Sequence, residues 1–225
     1  VRHLSERTND MANYHPSDEL LMQFSAGQMS NALGIMVACH LEKCHHCSTR
    51  VRVYEQLGGE IIQETAPVEV GSNVLSQILA KLDQPEEASS ARQLRTSADP
   101  RIPRPLTRFV PAYFDQLEWT GMSRSIKEYK LPISDAQYSA KLYRISAGKE
   151  LPIHTHKGNE FTLVMDGSFS DNAGDYNQGD FILADTKTVH QPKAADSSDC
   201  ICFAVLDAPL KMTGFFGRML NPFLG

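Results

Sequence analysis

The 225-residue sequence contains no apolar run near the ~18 residues that cross a bilayer; the stretch Leu33 to Cys39, with a glycine inside it, falls far short. Its first ten residues, VRHLSERTND, are polar and aperiodic and lack a secretory apolar core, so they read as a leader or alternative start ahead of Met11. Positive charge is not in excess, because 22 Lys and Arg against 27 Asp and Glu leave a formal net charge of −5, which argues against a polybasic nucleic-acid binder. A hydrophobic content of 41% and the absence of a glycine period argue against disorder and a collagen-like chain. The expectation is a cytoplasmic protein of one large or two small globular domains. In that reducing compartment five cysteines are metal ligands, redox centres or core residues rather than a disulfide framework.

Local signals divide the chain. Ser17 followed by Asp18 and Glu19 reads as a helix start, and Gly27 as its end. Ser30 is the candidate N-cap of a second helix with Leu33, Val37 and Leu41 on one stripe, and a third helix is expected from Ser48 to Leu57, stopped by Gly58-Gly59. Beyond Pro67, Ser72 precedes a segment whose face of Val74, Leu75, Ile78, Leu79 and Leu82 requires a partner, either the neighbouring helices or a groove of another protein. Residues 84–105 turn rich in Pro, Ser and charge and read as a linker between a helical unit, 11–83, and a second unit, 106–225. In the second unit the period shortens, and Tyr138–Ile145, Glu160–Val164, Asp180–Ala184 and Cys200–Leu206 read as strands of a sandwich or barrel. Most of the negative charge is on the helical unit, where eight acids face four bases.

Two constellations carry chemistry. In the first, His40, Cys44 and Cys47 at i, i+4 and i+7 are expected on one face of a helix running into its end, with His15 as the fourth ligand. Two thiolates and two imidazoles suit tetrahedral zinc and neutralise its charge. Zinc would then supply much of the stability of a thin helical core. His45 and His46 are the runner-up ligands, expected in solvent, and Cys39 is expected in the core.

In the second, Gly148 to Gly167 fits the first cupin motif, G-x5-H-x-H-x3-E-x6-G, at every defined position, with His154, His156 and Glu160 as its ligands. Gly179 and His190 keep the spacing of the second motif, while Asp185 and Lys187 stand where its Pro and Gly would be. Four such groups converging in a barrel call for a cation, and imidazole with carboxylate suits Zn, Mn, Fe or Ni. Tyr143, Arg144, Glu150 and Lys157 are nearby acid, base or anion-contact candidates. Alternation sends Cys200 and Cys202 to one face of a late strand, where they are either core residues or a redox pair.

Together, the His-x3-Cys-x2-Cys run, the upstream His15 in YHPSDELL and the downstream cupin resemble the ChrR-type zinc-binding anti-sigma factors, from Tyr14 to the last strands. The resemblance implies an α + β chain of two domains, a small zinc-stabilised helical bundle and a cupin, the double-stranded β-helix or jelly-roll barrel. It implies two zinc ions per chain, one on His15, His40, Cys44 and Cys47 and one on His154, His156, Glu160 and His190. Cys200 and Cys202 match a Cys-x-Cys of the family. The partner implied is an extracytoplasmic-function sigma factor, released on exposure to singlet oxygen or organic hydroperoxide, with no direct contact to nucleic acid or membrane and no catalysis. An acidic helical unit would steer to a basic partner, and the face from Val74 to Leu82 would supply affinity. The rival is a cupin dioxygenase or isomerase with a helical zinc appendage.

Overall fold

The computed structural model describes residues 12–82, 98–121, 123–208 and 210–212, the last three by their backbone alone. The leader and residues 84–97 of the expected linker lie outside the described residues. The chain is α + β in two domains, helices first. The helices are α1 (Asp18–Ser25), α2 (Asn31–Leu41), α3 (His45–Glu64) and α4 (Val74–Leu82). The strands are β1 (Thr120–Gly121), β2 (Ile126–Lys130), β3 (Ser139–Ile145), β4 (His154–His156), β5 (Glu160–Asp166), β6 (Ser168–Ser170), β7 (Asp175–Asn177), β8 (Phe181–Ala184), β9 (Val189–His190), β10 (Lys193–Ala194), β11 (Cys200–Leu206) and β12 (Leu210–Met212).

Ser17 caps α1, accepting from the Leu20 N–H, and Gly27 at φ 66° follows its end. Ser30 stands at the N-cap of α2 but makes no side-chain cap bond. That task falls to Asp135, from the loop between β2 and β3, whose Oδ2 accepts from the Ala32 N–H at 2.8 Å. The glycines do not stop α3, which runs on to Glu64, seven residues beyond the predicted end. Neither Gly58 nor Gly59 has the positive φ of a C-terminal stop, and glycine inside a helix costs only about 1 kcal/mol relative to alanine.

The β domain has a six-stranded antiparallel sheet, ordered β1-β2-β3-β11-β5-β8, facing two three-stranded sheets, β10-β6-β7 and β12-β4-β9. Every residue of β11 is buried, which an exposed barrel wall would not require. Alternate residues serve different cores. Cys200 and Cys202 join Val164, Phe169 and Tyr176 inside the barrel, while Ile201, Phe203 and Val205 pack outward in one cluster with Leu33, Met36 and Val37 of α2. The helical domain therefore shares a core with the outer face of the large sheet. Residues 98–105, expected as the end of the linker, are folded into this contact. Ile102 is buried in the shared core, Asp99 holds Arg101, and the Arg104 N–H donates to Glu42 at 3.0 Å.

The three motif glycines of the barrel, Gly148, Gly167 and Gly179, all have positive φ, a region that costs an L side chain energy. At Gly167 a Cβ would also lie 2.3 Å from the Asp199 carbonyl oxygen. Asp185 does the turn-forming work expected of the motif's Pro and Gly, its Oδ1 accepting from the Lys187 and Thr188 N–H groups at 2.9 and 3.0 Å.

Candidate metal centres

The first centre forms at the turn between α2 and α3. His40, Cys44 and Cys47 do not share one helix as predicted: α2 ends at Leu41, Cys44 is the N-cap of α3, and Cys47 lies in its first turn. The turn brings the three together, and His15, just ahead of α1, completes a group whose ligand atoms all lie within 4.8 Å of one another. His15 Nδ1 is 3.4 Å from Cys44 Sγ and 3.5 Å from Cys47 Sγ. Tetrahedral zinc with Zn–S of about 2.3 Å and Zn–N of about 2.05 Å separates S and N by about 3.6 Å, so the spacing fits that ion. His40 donates from Nδ1 to the Gly179 carbonyl at 2.8 Å, which leaves the lone pair on Nε2. His45 and His46 are exposed and Cys39 is fully buried, each as predicted.

The second centre lies in the barrel. His154 and His156 are the ends of β4, and His154 pairs in register with His190 of β9. The three rings converge, with Nε2 of His190 at 3.0 Å from that of His154 and 3.2 Å from that of His156. Two of the opposite nitrogens are fixed, Nδ1 of His154 on the Pro152 carbonyl at 2.9 Å and Nδ1 of His190 on Asp171 Oδ2 at 2.8 Å. These bonds hold the Nδ1 protons and direct the Nε2 lone pairs at one another, an arrangement that a cation resolves. Burial lowers the pKa of His154, which favours the neutral ligand form.

Glu160 is placed differently from the three histidines. Its Oε2 is 3.3 Å from Nδ1 of His156, but neither atom makes a hydrogen bond, and both are buried. Burial pushes the Glu160 carboxyl up, yet His156 and the other two imidazoles outweigh it and hold its pKa below the ordinary value. An ionised, buried carboxylate with an unpartnered oxygen beside three imidazoles suits a cation as the missing partner. Asp171, which orients His190, was missed in the sequence because nothing about an acid 19 residues upstream in a turn marks it as a histidine partner.

The cavity beside this centre is lined by Tyr143, Thr162, Glu160, His154, His190 and Cys202, and its volume is about 40 Å³. That space holds a few waters, whereas organic ligands occupy roughly 300–1,000 Å³. Tyr143 lines it with its phenol pKa driven up by burial and then by Glu160, so it stays protonated. Arg144 faces away, its Nε donating to Asp199 at 2.8 Å, and Glu150 and Lys157 are exposed. Cys200 and Cys202 are both buried with their sulfurs 3.6 Å apart.

The family described as the ChrR cupin-like domain matches residues 110–209. The anti-sigma-E factor ChrR of Cereibacter sphaeroides is 36% identical over 211 residues, covering 93% of this chain and 97% of the relative. The chain belongs to the ChrR family of anti-sigma factors. The crystal structure of Rhodobacter sphaeroides SigE in complex with the anti-sigma ChrR superposes with a TM-score of 0.77 at 33% identity, covering 87% of this chain and 99% of that one. Among the described residues of this ChrR-family chain, no helix is long and apolar enough to cross a membrane.

Proposed function

We propose that this chain is an anti-sigma factor that sequesters an extracytoplasmic-function sigma factor through the helical domain and releases it on oxidative stress sensed at the cupin. The observation that carries this reading is the apolar surface the helical domain leaves uncovered. No residue of α4 is buried, so Val74, Leu75, Ile78, Leu79 and Leu82 present a whole apolar face, and α3 adds Val53, Leu57 and Ile61 at i, i+4 and i+8. Such a face marks a site for a partner, and the helix-in-groove mode fits its spacing. The acidity of the domain complements a basic partner and speeds its capture. Zinc at His15, His40, Cys44 and Cys47 would hold α1, α2 and the start of α3 together behind that face.

In this reading the cupin centre of His154, His156, Glu160 and His190 holds the second zinc and is the sensing end. Oxidation of Cys200 and Cys202 by an organic hydroperoxide would yield a disulfide, an alcohol and water. The Cys200 contact and then burial keep the Cys202 thiol protonated, so this step is slow in the resting protein and requires the barrel to open. The test is co-expression of the full chain with an extracytoplasmic-function sigma factor, followed by metal analysis of the purified complex. A stoichiometric complex with two zinc ions, dissociating after exposure to singlet oxygen or hydroperoxide, is expected. Failure of the pair to associate overturns the reading.

A further inference from the structure

The turn between β7 and β8 reaches out of the barrel and holds the helical metal centre from behind. Asp180 is fully buried, and its Oδ1 accepts from the N–H groups of Asn13 and Tyr14, while Oδ2 accepts from Asn177 at 2.7 Å. The Phe181 N–H in turn donates to the Tyr14 carbonyl at 3.0 Å, so the backbone just ahead of His15 is clamped from both sides. Gly179, one residue earlier, supplies the carbonyl that fixes His40. Two of the four ligands of the helical centre are thus positioned by the cupin rather than by the helical domain.

The same region touches the barrel centre. The ring of Tyr14 packs on that of Tyr176 at a centroid distance of 4.9 Å. The Tyr176 hydroxyl donates to Asp171 Oδ1 at 3.3 Å, and Asp171 Oδ2 holds His190 at 2.8 Å. From His190 to His15 there is a continuous path of Asp171, Tyr176 and Tyr14, with no gap wider than a ring contact.

We propose that the two metal centres are coupled through this path, so that occupancy of the three-histidine centre sets how firmly the His15/His40/Cys44/Cys47 centre holds its metal. A cation on His190 fixes Asp171, which fixes the Tyr176 hydroxyl and with it the ring against which Tyr14 rests. Loss of that cation frees Asp171 and loosens the support of His15. Linkage makes the effect reciprocal, so stripping the helical centre weakens the barrel centre by the same factor.

The coupling rests on both centres binding metal, which the zinc content of the unmutated full chain tests by itself. Fewer than two equivalents overturns that premise and the coupling together, and two equivalents without coupling overturns the coupling alone. The measurement is competition between the full chain and a chromophoric zinc chelator, with the helical centre identified by the thiolate charge-transfer band of bound cobalt in a Cys200→Ser, Cys202→Ser background. Emptying the barrel centre with His154→Ala and His156→Ala should weaken the helical centre about tenfold, within the range usual for coupled sites. Gly174→Ala perturbs the path without touching a ligand, because its Cβ would stand 2.7 Å from the Tyr14 hydroxyl. It should weaken the helical centre similarly, and adding Tyr14→Phe, which removes that hydroxyl, should restore it. Helical-centre affinities within twofold of the unmutated chain in the barrel variant and in Gly174→Ala overturn the coupling. So does a Gly174→Ala defect that Tyr14→Phe fails to relieve.

Discussion

Replacing Leu75 and Leu79 with alanine separates the proposed docking role of α4 from the fold. The two side chains are 67% and 52% exposed, and no residue of α4 is buried. Alanine is also the strongest helix former, so the helix keeps its backbone preference. Surface changes of this kind stay within about 0.5 kcal/mol, which for a chain of this size moves the melting temperature by no more than about 2 °C. Binding is another matter. Each exchange removes three carbons, and each carbon taken out of water contributes about 0.8 kcal/mol. With roughly 60% of the side chain free to be covered, each leucine is worth about 1.4 kcal/mol, or about tenfold in Kd, and the pair about 100-fold. The assay is calorimetric titration of the full-length chain against a purified extracytoplasmic-function sigma factor, alongside a thermal melt. A double variant that melts normally and binds within twofold of the unmutated chain refutes the assignment of α4 to the interface.

Cys44→Ser with Cys47→Ser should lower the zinc content by one equivalent and lower the melting temperature, since both sulfurs belong to one ligand group and the helical core around it is small; unchanged zinc on metal analysis refutes the site. Asp135→Ala removes the cap that the β domain lends to α2 and should cost about 1 kcal/mol by denaturant unfolding. Burial raises the Asp135 pKa, but the N–H groups of Ala32, Gln137 and Tyr138 outweigh it and bring it below 3.8. The stabilisation is therefore complete well above pH 3.8 and disappears as the pH falls through the folded-state value, so the gap between unmutated chain and variant should be level from pH 7 to about 5 and close in acid. A gap that persists unchanged to pH 2 contradicts that sign. Gly58→Ala and Gly59→Ala meet open space inside α3 and should each raise helix stability by up to about 1 kcal/mol, read as a higher melting temperature; a fall would mean that the glycines serve a bend.

The two candidate metal clusters are legible in the sequence because each follows a spacing rule. His154-x-His156 lands on one face of a strand by the two-residue period, and the structure converges their rings with that of His190. His40, Cys44 and Cys47 were found by spacing and misjudged in detail, since the break after Leu41 turns a supposed helix face into a corner between two helices. Glu160 opens the following strand, as the motif implies, but its approach to Nδ1 of His156 at 3.3 Å is not readable from a motif. What stayed hidden is long-range. Asp135 capping Ala32, Gly179 holding His40 and Asp171 orienting His190 join residues 103, 139 and 19 positions apart, and no local pattern announces them.

One long-range feature did leave a local trace. The α2 sequence, NALGIMVACHL, is apolar well beyond a single stripe, and the β11 sequence, CICFAVL, is apolar at every position. A helix apolar around most of its circumference has more than one buried face, and a strand with no polar alternation is covered on both sides. Each needs a second neighbour that its own domain does not provide, and they meet in the shared core of Leu33, Met36, Val37, Ile201, Phe203 and Val205. The consequence reaches function. Helix α2, which carries His40 near its C-terminal end, contacts both α3 and β11. A change inside the barrel at Cys200 or Cys202 is one residue from Ile201 and its contact with that helix cluster. The helical and cupin domains are distinct in sequence but share one buried cluster, so under the proposed function a change in the barrel would reach the helices through side-chain packing.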